Sequence, residues 1–246
     1  MPEQPPPTID IQRLSKRFGE FKAVDDLSLQ IPQGEVFCFL GPNGAGKTTT
    51  IKMLCGLLKP SAGTIRIAGF DIQTQAANIK QITGYIPDQP YLYERLTSEE
   101  YAQFTADLFQ TPRPLARERL DQYFELFGLN EYRAALVKDL SHGLRQRLVY
   151  ASTFIHAPQV LFVDEPFIGL DPYSIRTIRT LLREKAAGGM TIFLTTHILA
   201  LAEDLADRVG IIHNGRLTVC GTPAELMERH TANGNLEDVF MKLTSA

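Results

Sequence analysis

Residues 41–48, Gly41-Pro42-Asn43-Gly44-Ala45-Gly46-Lys47-Thr48, set glycine, four intervening residues, glycine, lysine and threonine in one run. Glycines at that spacing let backbone N–H groups converge on phosphate oxygens with no Cβ in the way. A helix N-terminus directly behind them adds the positive end of its dipole. In such a cradle the Lys47 ammonium reaches the β- and γ-phosphates, and the Thr48 hydroxyl ligates Mg²⁺. The flanks agree. Residues 36–40 are apolar on both faces, as a buried parallel strand is, and residues 49–58, beginning at Thr49, continue with helical spacing.

A second apolar run, residues 160–163, ends in Asp164-Glu165-Pro166. A carboxylate at the C-terminal end of a strand beside a phosphate cradle is placed to hold Mg²⁺, which assigns Asp164 to the metal. Glu165, one residue on, is placed to orient or deprotonate an attacking water. Residues 191–194 form a third run, followed by Thr195, Thr196 and His197. Strand ends in an open α/β sheet point into the ligand crevice, so His197 is a candidate to bond a γ-phosphate.

These groups are far apart in the chain, and only a layered fold brings them together. Apolar runs at 160–163, 191–194 and 209–212 alternate with helical patterns at 174–187 and 199–206. That alternation, with continuously apolar strands, predicts an α/β core with a parallel sheet. A first strand is expected at 8–11. From about 98 to 154 apolar residues recur at three- and four-residue steps, as in Tyr101, Phe104 and Leu108, which predicts a mostly helical insertion.

A length of 246 residues suits one large domain, or one with a sub-domain. With 25 basic against 28 acidic side chains, the net charge of −3 gives no long-range attraction to nucleic acid or anionic lipid. Cys38, Cys55 and Cys220 are odd in number and widely spaced, which argues against a disulfide framework or structural zinc and favours a reducing compartment. No stretch approaches the roughly 20 consecutive apolar residues that cross a bilayer. The proline-rich residues 1–7 lack the features of a secretion signal and read as a polyproline-like lead-in. A cytoplasmic protein is expected, with any membrane-spanning part supplied by another chain.

Residues 140–147, Leu-Ser-His-Gly-Leu-Arg-Gln-Arg, make the pattern specific; Ser141 lies 23 residues ahead of Asp164 (164 − 141 = 23). With the glycine cradle, the Asp164-Glu165 pair and His197 in this order, residues 8–225 resemble the nucleotide-binding subunit of an ATP-binding-cassette (ABC) transporter. The 140–147 run resembles that family's signature motif. Gly169-Leu170-Asp171-Pro172 resembles its D-loop, and Lys16-Arg17-Phe18-Gly19 its adenine-stacking segment, with Phe18 as the aromatic face. Ser141 is also an N-cap candidate, and free N–H groups beyond it, near Gly143, can face a phosphate.

The resemblance implies an α/β P-loop NTPase core with a mostly parallel sheet, an N-terminal antiparallel β part and a helical insertion sub-domain. Within one domain, 1–246, it places the ATP-binding core at 8–90 and 158–225, the helical sub-domain at 91–157 and a short C-terminal tail at 226–246. It further implies a Mg²⁺-dependent ATPase peripheral on the inner face of the cell membrane, exporter-like, with a separate permease. The phosphate facing Ser141 and Gly143 would belong to ATP held by a second cassette, a copy or a close relative, closing head to tail, and Asp171 of the D-loop is counted with the ATP-binding residues. No nucleic-acid partner is implied.

Three positions depart from the family pattern. His142 stands where glycine is usual and Leu144 where glutamine is usual. After Gly84-Tyr85-Ile86-Pro87, Asp88 occupies the place of the usual glutamine, and Gln89 comes next. Asp88 as an oxygen ligand to Mg²⁺ and Gln89 acting after a one-residue shift both remain open. Residues 91–97 lie, by analogy, at the groove where a permease helix docks, or they belong to the core of the insertion. Relatives that act on ribosomes or DNA usually carry two cassettes or a long coiled coil, and neither an extended heptad pattern nor a basic tail occurs here. Intact Glu165 and His197 speak against a regulator that binds without hydrolysing.

Overall fold

A computed structural model describes residues 6–165, 167, 169–230 and 235–244. Residues 1–5 of the expected lead-in, and positions 166, 168, 231–234, 245 and 246, lie outside the described residues. An antiparallel hairpin, β1 (Ile9–Phe18) and β2 (Phe21–Ile31), comes first, and β3 (Val36–Leu40) then leads through the glycine-rich loop into α1 (Lys47–Leu54). Next come β4 (Ala62–Ile67), β5 (Phe70–Asp71), α2 (Ala76–Ile82) and β6 (Thr83–Ile86). Three helices follow: α3 (Ser98–Leu108), α4 (Arg113–Leu126) and α5 (His142–Ile155). The chain then alternates β7 (Val160–Asp164), α6 (Pro172–Ala187), β8 (Thr191–Thr196), α7 (Leu199–Leu205) and β9 (Arg208–His213). It closes with β10 (Arg216–Gly221), α8 (Pro223–His230) and α9 (Leu236–Thr244).

The larger sheet runs in the order β10-β9-β3-β8-β7-β6, with β9, β3, β8, β7 and β6 parallel and β10 antiparallel at one edge. A second, antiparallel sheet has the order β2-β1-β4-β5. The expected mostly parallel α/β sheet, with an antiparallel part and a helical insertion, is the architecture the chain adopts. Period-2 alternation explains how one central sheet serves two cores. In β3, Val36, Cys38 and Leu40 face the helices α3–α7, whereas Phe37 and Phe39 face the antiparallel sheet and α1. On that second face Phe193 packs 5.6 Å from Phe37, 5.5 Å from Phe39 and 6.2 Å from Phe162. Both faces are apolar because both are covered, which is why these strands read as unbroken hydrophobic runs.

Two boundaries differ from the expectation. β1 extends from Ile9 to Phe18 instead of stopping near residue 11, because register shifts against β2 after Ile11 and Leu14 break the alternation that marks a strand. The second boundary is the start of the expected short C-terminal tail at 226. A cut there runs through α8, and Leu226, Leu236 and Val239 are buried in the same core as β3. Among the described residues no helix is long and apolar enough to cross a membrane.

α3 begins with a capping box, Thr97 with Glu100, and with α4 packs on α5. At the far end of α5 the His156 ring stacks on Phe109 with centroids 3.6 Å apart, and its Nε2 lies 3.2 Å from the Thr83 carbonyl. Its Nδ1 is buried without a partner, and burial pushes the imidazole pKa down to about 4. The unfolded chain, near 6.5, therefore takes up this proton before the folded one. Stability from this group is full above pH 6.5 and is lost as pH falls toward 4, about 2 kcal/mol by pH 5. His156→Gln should flatten that part of the urea-midpoint profile between pH 7.5 and 5, and an unchanged slope would refute the assignment.

Candidate nucleotide site

Strand register assembles the site. β3 and β8 pair Leu40 with Thr196, and β7 and β8 pair Asp164 with Thr195. The entry to the glycine loop, Asp164 and the residues leading to His197 are thus neighbours at one edge of the sheet, the carboxyl end of its parallel strands. A cleft of about 480 Å³ opens there. Phe18, Phe21, Ala23, Asn43, Gly44, Gly46, Lys47, Thr48, Thr49, Asp88, Glu165 and His197 line it.

The loop needs glycine where it folds tightest. Gly46, the N-cap of α1, has φ 110°, and a Cβ there would lie 2.4 Å from the Ala23 carbonyl oxygen. Lys47, the first residue of α1, is almost fully buried; its Nζ donates to Gly41 O at 2.6 Å and Pro42 O at 3.2 Å. Burial holds the ammonium pKa below its ordinary value, against the opposing pull of Glu165 and Asp164. Ala45, within the loop, is buried, and its carbonyl accepts from Gly215 N at 3.0 Å.

Asp164 is buried behind Thr48, which lines the cleft. Its Oδ1 accepts from Thr48 Oγ1 at 3.5 Å and from Thr195 Oγ1 in a short contact, while Oδ2 has no partner. Burial pushes this carboxyl above its ordinary pKa; the two hydroxyl bonds oppose that shift, and the charges of Asp88 and Glu165 add to it. A buried carboxylate oxygen with nothing to bond, next to a threonine hydroxyl, is a hard-oxygen donor set that fits Mg²⁺. Among the described residues no cluster of three or more Asp, Glu, His or Cys could hold a metal by itself. That also fits Mg²⁺, which takes one or two carboxylates and completes its shell from phosphates and water.

Glu165 follows with φ 50°, a left-handed conformation that is costly for a non-glycine residue. Its N–H donates to Thr195 O at 3.1 Å, and its Oε2 lies 2.9 Å from His197 Nδ1. A carboxylate only accepts, so His197 carries its proton on Nδ1 in this contact. The strained residue sits directly after the end of β7, beside the glycine loop's cleft.

Ser141, Gly143 and Asp171 are not among the residues that line the cleft. Ser141 caps α5, its hydroxyl accepting from Leu144 N at 3.3 Å. Asp171 caps α6, accepting from Ser174 N at 2.9 Å and Ser174 Oγ at 2.7 Å, bonds that hold its carboxyl below the usual range. These two helix starts touch: a Cβ on Gly169 would lie 2.5 Å from His142 Nδ1, and one on Gly143 would lie 3.6 Å from Gly169 O. Asp88 lines the cleft and also a neighbouring groove of about 760 Å³, whereas Gln89 lines only the groove. Tyr91 and Leu92 line that groove too, and Tyr91 is 97% exposed. Sequence reasoning missed Thr195, whose part depends on cross-strand register, and Phe21 and Ala23, which reach the cleft through the β1–β2 hairpin.

Comparison with known proteins agrees with this geometry. The family described as ABC transporter matches residues 24–168. The chain is 35% identical over 234 residues to the probable multidrug ABC transporter ATP-binding protein YbhF of Escherichia coli (strain K12), covering 95% of this chain but only 40% of that protein. It is 40% identical over 232 residues to Nod factor export ATP-binding protein I of Ralstonia nicotianae, covering 92% of this chain and 72% of the relative. A solved structure described as the ATP binding subunit of an ABC transporter superposes with a TM-score of 0.92 at 31% identity, covering 96% of this chain and 99% of the other. A sequence match across most of the chain and a glycine cradle facing a strand-end Asp-Glu pair lead to one conclusion: this chain belongs to the ABC transporter family, as a nucleotide-binding subunit.

Proposed function

We propose that the chain binds and hydrolyses ATP and, paired head to tail with a second cassette, powers a separate membrane permease. The observation that carries this reading is the convergence of Lys47, Thr48, Glu165 and His197 on one cleft at the sheet edge, with Asp164 bonded to Thr48 behind it. Asn43, Gly44 and Gly46 would present N–H groups to the phosphates, and Lys47 would exchange part of its bonding to the loop carbonyls for phosphate oxygens. Mg²⁺ held by Thr48 and Asp164, with Asp88 beside them, would supply charge neutralisation at the β- and γ-phosphates. Glu165 would take the proton of a water attacking the γ-phosphorus as the bond to the β–γ bridging oxygen breaks.

His197 would orient that water and γ-phosphate. Its Nδ1–H already serves Glu165, so donating from Nε2 to a phosphate requires the imidazolium form. Ser141 and Gly143 of a second cassette would cover the outer face of the γ-phosphate through the free N–H groups at the start of α5, with Asp171 near that seam. The groove shared by Asp88 and Gln89, with Tyr91 standing out of it, would receive a permease helix, so that Asp88 joins the two sites. The names of relatives, a multidrug transporter protein and a Nod factor export protein, support an exporter working at the inner face of a cell membrane. The chain spans 40% of the length of the first of them.

Mixing tests the pairing. Lys47→Met and Ser141→Arg should each be nearly inactive alone. Combined in equal amounts they form mixed dimers with one intact composite site, restoring about a quarter of parental ATPase activity. No recovery, with specific activity constant on dilution of the parent, would refute the head-to-tail reading.

A further inference from the structure

The loop ahead of α3 and the segment ahead of α5 pair in a short antiparallel ladder. Ser98 N donates to Ala135 O at 3.0 Å, Val137 N to Leu96 O at 2.9 Å and Lys138 N to Glu94 O at 3.2 Å, and Thr97 bridges to Leu136. One side of this ladder continues the groove of about 760 Å³, which Tyr91 and Leu92 line. There Tyr93 packs edge-on against Phe104 of α3, with ring centroids 5.1 Å apart. The other side runs straight into Ser141, the N-cap of α5. Arg145 closes over the joint. From the first turn of α5 its Nη2 donates to Lys138 O at 2.7 Å and its Nε to Leu140 O at 3.1 Å, and its Nη1 lies 3.8 Å from Glu94 Oε1. A cation in the first turn meets the positive end of the helix dipole, where an acidic side chain is favoured, yet α5 has no acid there. Two carbonyls and a carboxylate offset that cost, and a planar fork is the side chain shaped to span them.

We propose that Arg145 is a positioning residue that ties the groove-side loop to Ser141, so that what docks in the groove shifts the start of α5 against the nucleotide of the partner cassette. This rests on the head-to-tail reading above. Arg145 does not line the nucleotide cleft, and its fork is committed to the Lys138 and Leu140 carbonyls and Glu94. It therefore acts through Ser141 and Gly143 and makes no contact with phosphate. The run of bonds is contiguous: Leu96 N donates to Tyr93 O at 3.1 Å, the ladder joins Glu94 and Leu96 to residues 137 and 138, and Arg145 fastens 138 and 140 to α5. Asp88 joins the groove to the cleft of its own chain, whereas Arg145 joins the groove to the site completed in trans.

Sedimentation of the full chain with a nonhydrolysable ATP analogue tests this. Arg145→Met should weaken nucleotide-driven dimerisation about tenfold and leave the analogue's affinity for dilute, monomeric protein unchanged. Tyr93→Ala, on the groove side, should weaken dimerisation about threefold in the parent and have no further effect in Arg145→Met. A merely structural Arg145 would leave the two effects additive, and additivity overturns the proposal. So does parental dimerisation in a folded Arg145→Met protein, or a loss of analogue affinity in the monomer, which would make Arg145 a nucleotide ligand. Where Arg145→Met does not fold, Arg145→Gln, which keeps a donor for one carbonyl, takes its place in the cycle. A parental protein that stays monomeric with the analogue loses the head-to-tail reading and this proposal together; a defect pattern confined to the variants bears on Arg145 alone.

Discussion

Glu165→Gln should slow ATP hydrolysis by about a thousandfold while leaving thermal stability intact. The substitution keeps the volume and the bond geometry. The amide oxygen still accepts from His197 Nδ1, the 2.9 Å contact of the parent, and the backbone bond from residue 165 to Thr195 is untouched. The strained φ of 50° is equally unfavourable for both side chains, so folding is not affected. What disappears is the acceptor for the water proton, because a neutral amide is a far weaker base than a carboxylate. ATP affinity stays within about threefold, since the lost interaction belongs to the transition state and not to the bound ground state. ATP-loaded protein should then accumulate as a closed dimer, visible by size-exclusion chromatography. Single-turnover phosphate release faster than a tenth of the parental rate would remove Glu165 from the role of base.

How much of this was legible beforehand follows from the distances over which each feature is encoded. The glycine loop, Lys47 and Thr48 are fixed by local spacing, and β3, β7 and β8 by continuous apolarity, so both are readable from short windows. The pairing of Asp164 with Thr195 depends on the register between strands 31 positions apart, and nothing local records it. Of the four-stranded sheet, residue spacing marks only the first strand, and the antiparallel part follows from the family resemblance alone. Its members are half exposed, β5 has two residues, and β1 is interrupted by bulges. Phe21 had a usable signal, because a two-residue Gly19-Glu20 turn places it opposite Phe18. The C-terminal segment had one as well: Leu236, Val239, Phe240 and Leu243 recur at helical spacing, and all four turn toward the core, Leu236 and Val239 buried in it and Phe240 and Leu243 packed against it. Departures at His142 and Asp88 were readable as letters, whereas the stacking of His142 over Gly169 and the double exposure of Asp88 are tertiary facts.

Lys47→Met should raise the Kd for ATP by about a hundredfold or more, the cost of removing a buried cation from an anion site. Methionine matches the length of the lysine stem, so the packing under the loop survives and the variant reports on charge. Two opposing effects decide the magnitude. The parent ammonium is already bonded to the Gly41 and Pro42 carbonyls and disfavoured by burial, so part of its bonding must be given up when phosphate arrives. Against that, a triphosphate carries several negative charges in beside Asp164 and Glu165, and without Lys47 no charged side chain of the loop offsets them. The second effect is larger because it acts among charges at short range in a partly dry site. Stability changes little in the nucleotide-free protein: freeing two loop carbonyls costs about 1–2 kcal/mol, offset by relief of the buried charge. Lys47→Arg should also bind poorly, since a planar fork cannot make the compact contacts of an ammonium in the space between Gly41 and Gly46. Calorimetry on both variants, with melting curves as the folding control, decides the matter. Parental ATP affinity in a folded Lys47→Met protein would place the triphosphate elsewhere.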